Sequence, residues 1–281
     1  MQEKICLNLS ALLHLDFEQQ LEVSARAGFR AVGPRDVNLQ EYLSSGHNME
    51  DALQLMERYN LKSVEYNFFP NWIYADDSER GAMLGLFEEF CTKAVALGEG
   101  SIIVAPVSFE KRNDVLDYKL AVNNLQELSR TAESFGVLVG VEFLPWTRID
   151  SISRAWDIVR EAEMENAGII LDSFHYFEGS STEAELRKVP VEKIFLCHLN
   201  DMQTAEGDIL TRTREQRVLP GEGYYQFGEI LSYLKDNDYQ GYYSLEILNK
   251  SYRDKDPLEI ALRAKKSMDD LLAAYAGSEK D

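Results

Sequence analysis

The segment LQELSRTAESFGVLVGVEF, residues 125–143, contains both parts of a unit that recurs along the chain. Its first part has apolar residues at the three- and four-residue spacing of an amphipathic helix. Its second part, LVGVEF, is a short run rich in β-branched residues and is typical of a buried strand. Gly136 separates the two, at a position where glycine commonly ends a helix. The segment therefore predicts a helix that leads directly into a strand.

The same alternation predicts eight strands and eight helices. The strands are expected at 5–8, 31–33, 63–67, 101–105, 138–143, 168–171, 193–198 and 242–247. The helices are expected at 17–27, 49–59, 79–97, 115–135, 152–163, 183–187, 226–236 and 257–276. Alternating strands and helices favour a parallel sheet, and eight strands suffice to close it. We therefore predict an α/β fold, a (β/α)8 TIM barrel, as a single domain over residues 1–281.

The composition excludes some classes of partner. The chain has 281 residues, 45% of them hydrophobic, so it can bury a large core. Its net charge of -19 disfavours nucleic acid, whose phosphates are usually met by clustered lysine and arginine. The N-terminus resembles neither a signal peptide nor a membrane span. The cysteines, Cys6, Cys91 and Cys197, are widely spaced and favour buried thiols in a reducing compartment, so we expect a cytoplasmic location.

Four of the predicted strands end on a side chain that can bind a hard metal ion. VGVEF places Glu142, IILD places Asp172, IFLCH places His198 and YSLEI places Glu246. Each alone fits a helix cap or a surface charge equally well. If the barrel closes, all four side chains converge on one rim. Unpaired charges buried there would destabilise the fold unless they share a cation. They suit Mn²⁺, Mg²⁺, Co²⁺ or Zn²⁺, and three carboxylates with one imidazole favour Mn²⁺ or Mg²⁺.

Such a site predicts chemistry on a hydroxy-ketone. A divalent ion that holds two neighbouring substrate oxygens acidifies the hydrogen on the carbon between them and stabilises the enediolate. Two carboxylates can then remove and return the proton, and Glu142 and Glu246 are the candidate pair. His175 and Arg217 are candidate hydrogen-bond donors to substrate oxygens; a structural histidine and a solvated arginine are the alternatives. The region 199–227 has no clear strand, and we expect a functional lid or a disordered loop there.

Five motifs resemble those of the sugar phosphate isomerase/epimerase group of xylose-isomerase-like barrels. They are VGVEFLP, GIILDSFHYF, KIFLCHLNDM, RVLPGEG and YYSLEIL, and further similarity extends to NFFPN after the third strand. The resemblance implies one divalent ion on the same four ligands, the two glutamates as the proton-transfer pair, and substrate contacts from His175 and Arg217. Many members carry a glutamate at the end of strand two. Here Gly33 stands there, so the pocket around Arg35 and Asp36 is expected to suit a different substrate.

Other residues near the predicted rim are weaker candidates. Asn67, in the NFFPN motif, is a candidate substrate contact. An aromatic wall facing the sugar is expected from Phe68, Phe69, Trp72 and Trp146, with packing beneath the loops as the alternative. His14 follows strand one and is a further candidate for the pocket. His47 is expected to be a surface residue.

The leading functional hypothesis is a metal-dependent isomerase or epimerase of an unphosphorylated keto-sugar or keto-inositol. The rival is a dehydratase or decarboxylase that uses the same enediolate. A DNA-repair nuclease related to endonuclease IV is disfavoured, because it needs many histidines and a basic groove and this chain has 4 histidines. A non-catalytic binding subunit is disfavoured by the intact ligand set. A homodimer face is expected from exposed Tyr224, Tyr225, Tyr239 and Tyr252.

Overall fold

The computed structural model describes residues 4–98, 101–108 and 116–276. The chain forms two compact units: a terminal unit, Met1–Lys62 with Cys197–Asp281, and a central unit, Ser63–Leu196. The prediction of a single domain stays a prediction. Within the described ranges, no helix combines the length and apolar character needed to span a bilayer.

The strands and helices alternate along the chain as predicted. The strands are β1 (Ile5–Asn8), β2 (Ala31–Gly33), β3 (Lys62–Ser63), β4 (Glu65–Asn67), β5 (Ile102–Pro106), β6 (Leu138–Glu142), β7 (Ala167–Asp172), β8 (Ile194–Leu199), β9 (Asp201–Met202), β10 (Arg217–Val218) and β11 (Tyr242–Leu245). The helices are α1 (Phe17–Arg26), α2 (Asp36–Ser44), α3 (Met49–Arg58), α4 (Arg80–Leu97), α5 (Tyr118–Phe135), α6 (Ile152–Ala162), α7 (Ser173–Glu178), α8 (Glu183–Leu186), α9 (Ile209–Glu215), α10 (Gly228–Asp236) and α11 (Pro257–Ala276).

In the terminal unit, β1 is the central strand of a parallel set. It pairs with β11 on one side, Cys6 opposite Ser244, and with β2 on the other, Cys6 opposite Ala31. All four residues of β1 are buried, which fits a strand covered on both faces. Helices α1, α3 and α11 begin at the predicted residues 17, 49 and 257. Asp16 and Gln19 form a capping box at the start of α1, and Pro257 is the first residue of α11.

In the central unit, β4, β5, β6 and β7 pair in parallel in that order. The register places Pro106 opposite Glu142, and Glu142 opposite Ile170. Gly140 of β6 makes this packing possible, because a Cβ there would lie 2.2 Å from Cδ1 of Ile170. The strand ends that carry polar side chains are therefore brought to one edge of this sheet.

The region 199–227 is not the disordered loop that the sequence left open, because it contains β9, α9 and β10, and β9 pairs with β10 in antiparallel fashion. The functional lid stays a prediction. Two-residue strands and a seven-residue helix are too short for a hydrophobic period to show in the sequence. The helices α2 and α7 were missed as well. The predicted strand 63–67 is split between β3 and β4, and the start of the predicted helix 115–135 at Val115 lies outside the described residues.

The cysteine thiols are buried and form no disulfide, as the sequence predicts for Cys6, Cys91 and Cys197. Burial raises the pKa of the Cys91 thiol to about 12, with the nearby Glu88 carboxylate acting in the same direction. Because the thiolate is the nucleophile, Cys91 is inert at neutral pH.

We predict that none of the three thiols reacts with Ellman's reagent at pH 8 in the native protein within an hour. In guanidinium chloride all three should react, since unfolding removes both the steric cover and the raised pKa. Absorbance at saturation counts the thiols in each state. Rapid modification of Cys91 in the native protein would contradict this burial.

Candidate metal centre

The four predicted ligand residues lie at or next to the carboxyl ends of their strands. Glu142 is the last residue of β6 and Asp172 the last of β7; His198 is the last residue but one of β8, and Glu246 directly follows β11. All four side chains are buried, Asp172 and His198 completely. The apolar residues that precede them belong to the core, so burial of each polar side chain follows from burial of its strand.

In the terminal unit, Glu246 is surrounded by positively charged and imidazole groups. Nη1 of Arg217 donates to its Oε2 at 2.8 Å, and Nη1 of Arg35 approaches its Oε1 at 3.4 Å. Nδ1 of His198 lies 3.7 Å from Oε2, beyond a normal hydrogen bond. Both guanidinium groups are buried as well. The sequence predicted Arg217 as a substrate contact but did not predict that Arg35 reaches Glu246.

In the central unit, Asp172 also caps a helix. Its Oδ1 accepts the backbone N–H of His175, so Asp172 is the N-cap of α7. The His175 ring is buried, and its Nε2 lies 4.0 Å from Oε1 of Glu142. The Trp146 ring meets the His175 ring nearly edge to face, with centroids 5.5 Å apart. His175 and Trp146 therefore lie beside a predicted ligand.

Glu142, Asp172, His198 and Glu246 form a group that can hold a metal ion. One ligand atom from each lies within 4.8 Å of the other three. Ligand atoms about 2.2 Å from a common ion lie at most about 4.4 Å apart, so the observed span is close to that of a coordination sphere. Three carboxylate oxygens and one imidazole nitrogen suit a hard or borderline divalent ion. The residues present therefore fit the predicted metal.

Two further predicted substrate contacts carry buried polar atoms that need a partner. Asn67 Nδ2 donates to Oε2 of Glu65 at 3.0 Å, but Oδ1 of Asn67 has no hydrogen-bond partner among the described residues. Nε1 of Trp146 also has no hydrogen-bond partner among the described residues. A buried amide oxygen or indole N–H without a partner costs stability, and a bound ligand that supplies a hydroxyl group removes the cost.

The remaining candidates have other surroundings. Phe69 packs edge to face against Phe87 and Phe90 of α4, and the Trp72 indole donates to the Ala105 carbonyl, so both belong to the core rather than to a sugar-facing wall. Phe68 is half-buried. His14 is exposed; partial burial and the positive charge of Arg253 lower its pKa. His47 is on the surface, as predicted, and stacks on Tyr42.

Asp201 is the residue that sequence reasoning missed. It is buried, and its two carboxylate oxygens accept four backbone N–H groups, those of Met202, Gly221, Gly223 and Tyr225. These bonds tie β9 to the LPGEG turn that follows β10. Two glycines fit this arrangement: Gly221 has φ of +88°, and a Cβ on Gly223 would lie 2.3 Å from Asp201. The sequence offered one signal that could have pointed to Asp201, namely its position three residues after His198.

Glu222 of the same turn is anchored to the C-terminal part of the chain. It accepts the Tyr252 hydroxyl at 2.9 Å and Nη2 of Arg263 at 2.7 Å. Burial, followed by this hydrogen bond, raises the pKa of Tyr252 to about 12. Tyr252 and Tyr225 are buried, so the expectation that these two residues are exposed is wrong; the homodimer itself stays a prediction. Tyr224 is 41% exposed.

A family model described as the xylose isomerase-like TIM barrel matches residues 21–271. The chain belongs to this family. Its structure superimposes on the crystal structure of the IOLI protein with a bound zinc atom, with a TM-score of 0.89 and 26% identity, over 98% of this chain and 100% of that one. The predicted fold class, a xylose isomerase-like (β/α)8 barrel, is confirmed.

Among curated relatives, the inosose isomerase of Halalkalibacterium halodurans is 28% identical over 254 residues, covering 89% of each chain. The 3-dehydroshikimate dehydratase of Pseudomonas aeruginosa is 28% identical over 236 residues, which cover 84% of this chain and 36% of that protein. The curated relatives thus include an isomerase similar to this chain over most of its length, and a dehydratase in which the matching part is about a third of the protein.

We predict that Asp201→Asn lowers the free energy of unfolding by about 3 kcal/mol, because an amide nitrogen would face backbone donors that the carboxylate accepts. The matched control is Asp208→Asn. It removes the same charge from the exposed N-cap of α9, where asparagine caps equally well, and should change stability by less than about 0.5 kcal/mol. Urea denaturation compares the two variants, and equal stability would contradict the role of Asp201.

Proposed function

We propose that this protein is a divalent-metal-dependent isomerase or epimerase that acts on a keto-inositol or a related keto-sugar. The observation that carries the proposal is the group of Glu142, Asp172, His198 and Glu246, which brings three carboxylates and an imidazole together in a buried place. Similarity to an inosose isomerase along 89% of the chain supports this substrate class.

The bound ion would be held by these four side chains and would supply Lewis acidity toward two adjacent oxygens of the substrate. Glu246 and Glu142 are the proposed proton-transfer pair. Arg217 and Arg35 each donate to one oxygen of Glu246 and so fix the plane of its carboxylate. His175 lies beside Glu142, with its Nε2 4.0 Å from Oε1. The substrate carbon that bears the hydroxyl group next to the carbonyl would lose a proton to one carboxylate. The other carboxylate, which starts protonated, would donate a proton to the same carbon in an epimerisation, or to the former carbonyl carbon in an isomerisation, while the substrate hydroxyl proton passes to the former carbonyl oxygen.

We propose that further polar atoms recognise the substrate. The Asn67 amide oxygen would accept a substrate hydroxyl, and the Trp146 indole N–H would donate to another oxygen. His175 and Arg217 are further proposed contacts. His14 is retained as a candidate from its place after β1. A ring that presents several hydroxyl groups satisfies such donors and acceptors better than an apolar ketone.

The alternative is a lyase that uses the same proton abstraction. Similarity to a 3-dehydroshikimate dehydratase supports a dehydratase, in which loss of a β-hydroxyl group follows removal of the proton. A decarboxylase of a keto-acid would share the first intermediate.

For the ion itself we propose Mn²⁺ or Mg²⁺ on the carboxylate-rich donor set, with Co²⁺ and Zn²⁺ as alternatives. A cytoplasmic location and a homodimer remain proposals too.

The first test is proton exchange in D2O followed by NMR, with Mn²⁺ or Mg²⁺, across inososes, ketohexoses and keto-acids. We predict that the wild-type protein exchanges the hydrogen beside the carbonyl group of an inosose. Glu246→Gln should slow this at least about a hundredfold, because the amide cannot accept the proton. Glu57→Gln removes an exposed charge in α3 and serves as the matched control.

The products separate the two reaction classes. A rearranged or epimerised ketone supports the isomerase, whereas an unsaturated product or carbon dioxide supports the lyase. If no substrate of the panel exchanges while the metal is bound, the proposal fails for this substrate class.

Metal binding is tested separately by titration calorimetry on protein stripped with a chelator. We predict one Mn²⁺ per chain and a thermal midpoint that rises with Mn²⁺ concentration, because the ion binds the folded state. Asp172→Asn should weaken binding at least about tenfold, whereas the surface substitution Asp270→Asn should leave it unchanged. Equal affinity in the two variants would remove Asp172 from the ligand set.

A further inference from the structure

We propose that Thr213 is a positioning residue, which holds the Arg217 guanidinium in the orientation in which it donates to Glu246. Thr213 lies in α9, in the region whose structure the sequence did not reveal, and is buried. The inference deepens the proposed function and rests on it, because it concerns the side chain that orients one of the two proposed proton-transfer carboxylates.

Thr213 holds one edge of the guanidinium through two of its atoms. Nε of Arg217 donates to the Thr213 carbonyl oxygen at 3.1 Å and to its Oγ1 at 3.3 Å, while Nη2 donates to the same Oγ1 at 2.7 Å. Nη1, on the other side of the group, donates to Oε2 of Glu246 at 2.8 Å. Because a guanidinium is planar and rigid, fixing Nε and Nη2 determines the direction of Nη1.

The backbone of Arg217 is fixed independently of Thr213. Its N–H donates to the Leu248 carbonyl at 3.3 Å, and its carbonyl accepts Nδ2 of Asn249 at 2.8 Å. These bonds join β10 to the segment after β11 and place the Cα of Arg217 relative to Glu246. The long arginine side chain still has several rotatable torsions, and the Thr213 contacts restrict them.

The side chain of Thr213 is suited to this task. Its β-branched carbon limits the rotamers that the hydroxyl oxygen can adopt, and that oxygen accepts two N–H groups. Valine has nearly the same shape but lacks the acceptor, whereas serine keeps the acceptor and loses only a methyl group. The pair Thr213→Val and Thr213→Ser therefore separates the hydrogen bonds from the packing.

The first arm of the test observes the guanidinium directly, by ¹⁵N–¹H NMR of the metal-free protein. Anchoring on both edges blocks rotation about the Nε–Cζ bond, so Nη1 and Nη2 of Arg217 should give separate signals, assigned by their loss in Arg217→Lys. We expect these signals to merge in Thr213→Val and to stay separate in Thr213→Ser. Separate, unshifted signals in Thr213→Val would overturn the inference, whatever the substrate proves to be.

The second arm measures deuterium exchange of inosose with Mn²⁺. Thr213→Val should reduce kcat about tenfold or more, as expected for a misaligned group, with Thr213→Ser within about twofold of wild type. If Arg217→Lys is impaired and Thr213→Val is not, the positioning role is overturned and the proposed function stands. If the wild-type protein fails to exchange inosose, the proposed function fails for that substrate, and the guanidinium signals still decide the orientation.

Discussion

Burial of negative charge at strand ends is the constraint on which the rest of the site depends. A carboxylate removed from water destabilises the protein unless hydrogen bonds or opposite charge compensate it. For Glu246 the compensation comes from two buried guanidinium groups, one on each oxygen. For Asp172 the compensation comes from the N-terminus of α7, where its side chain accepts a backbone N–H. The strands that bury these carboxylates also hold them in place, so the same sequence pattern stabilises the fold and builds the site.

The groups that compensate Glu246 require their own support. Arg217 reaches Glu246 because β10 pairs with β9. Asp201 accepts four backbone N–H groups, three of them from the turn that follows β10. Glu222 of that turn accepts hydrogen bonds from Tyr252 and Arg263. Apart from Arg217 itself, none of these residues would be selected as a ligand or a catalyst. Their arrangement explains why the region between β8 and α10 is ordered around Arg217.

The sequence predicts the regular parts of this fold well, because their signals are local. β1, β2 and α11 have the predicted bounds, and α1 begins at the predicted residue 17, directly after its N-cap Asp16. Glu142, Asp172, His198 and Glu246 could be selected because each follows a recognisable buried strand. The sequence could not reveal the contacts of Arg35, Asp201 and Thr213, because their partners lie far along the chain or in elements too short to show a period. Tyr252 was misjudged for the same reason, since its hydroxyl donates to Glu222, 30 residues earlier.

The central claim is that the four strand-end residues hold one divalent ion. The most direct measurement is a crystal structure of the protein soaked in Mn²⁺, with anomalous diffraction recorded near the manganese absorption edge. We predict a single strong anomalous peak about 2.0–2.3 Å from an oxygen of Glu142, Asp172 and Glu246 and from a ring nitrogen of His198. A fully soaked crystal without a peak there, or with its strongest peak on other side chains, would contradict it.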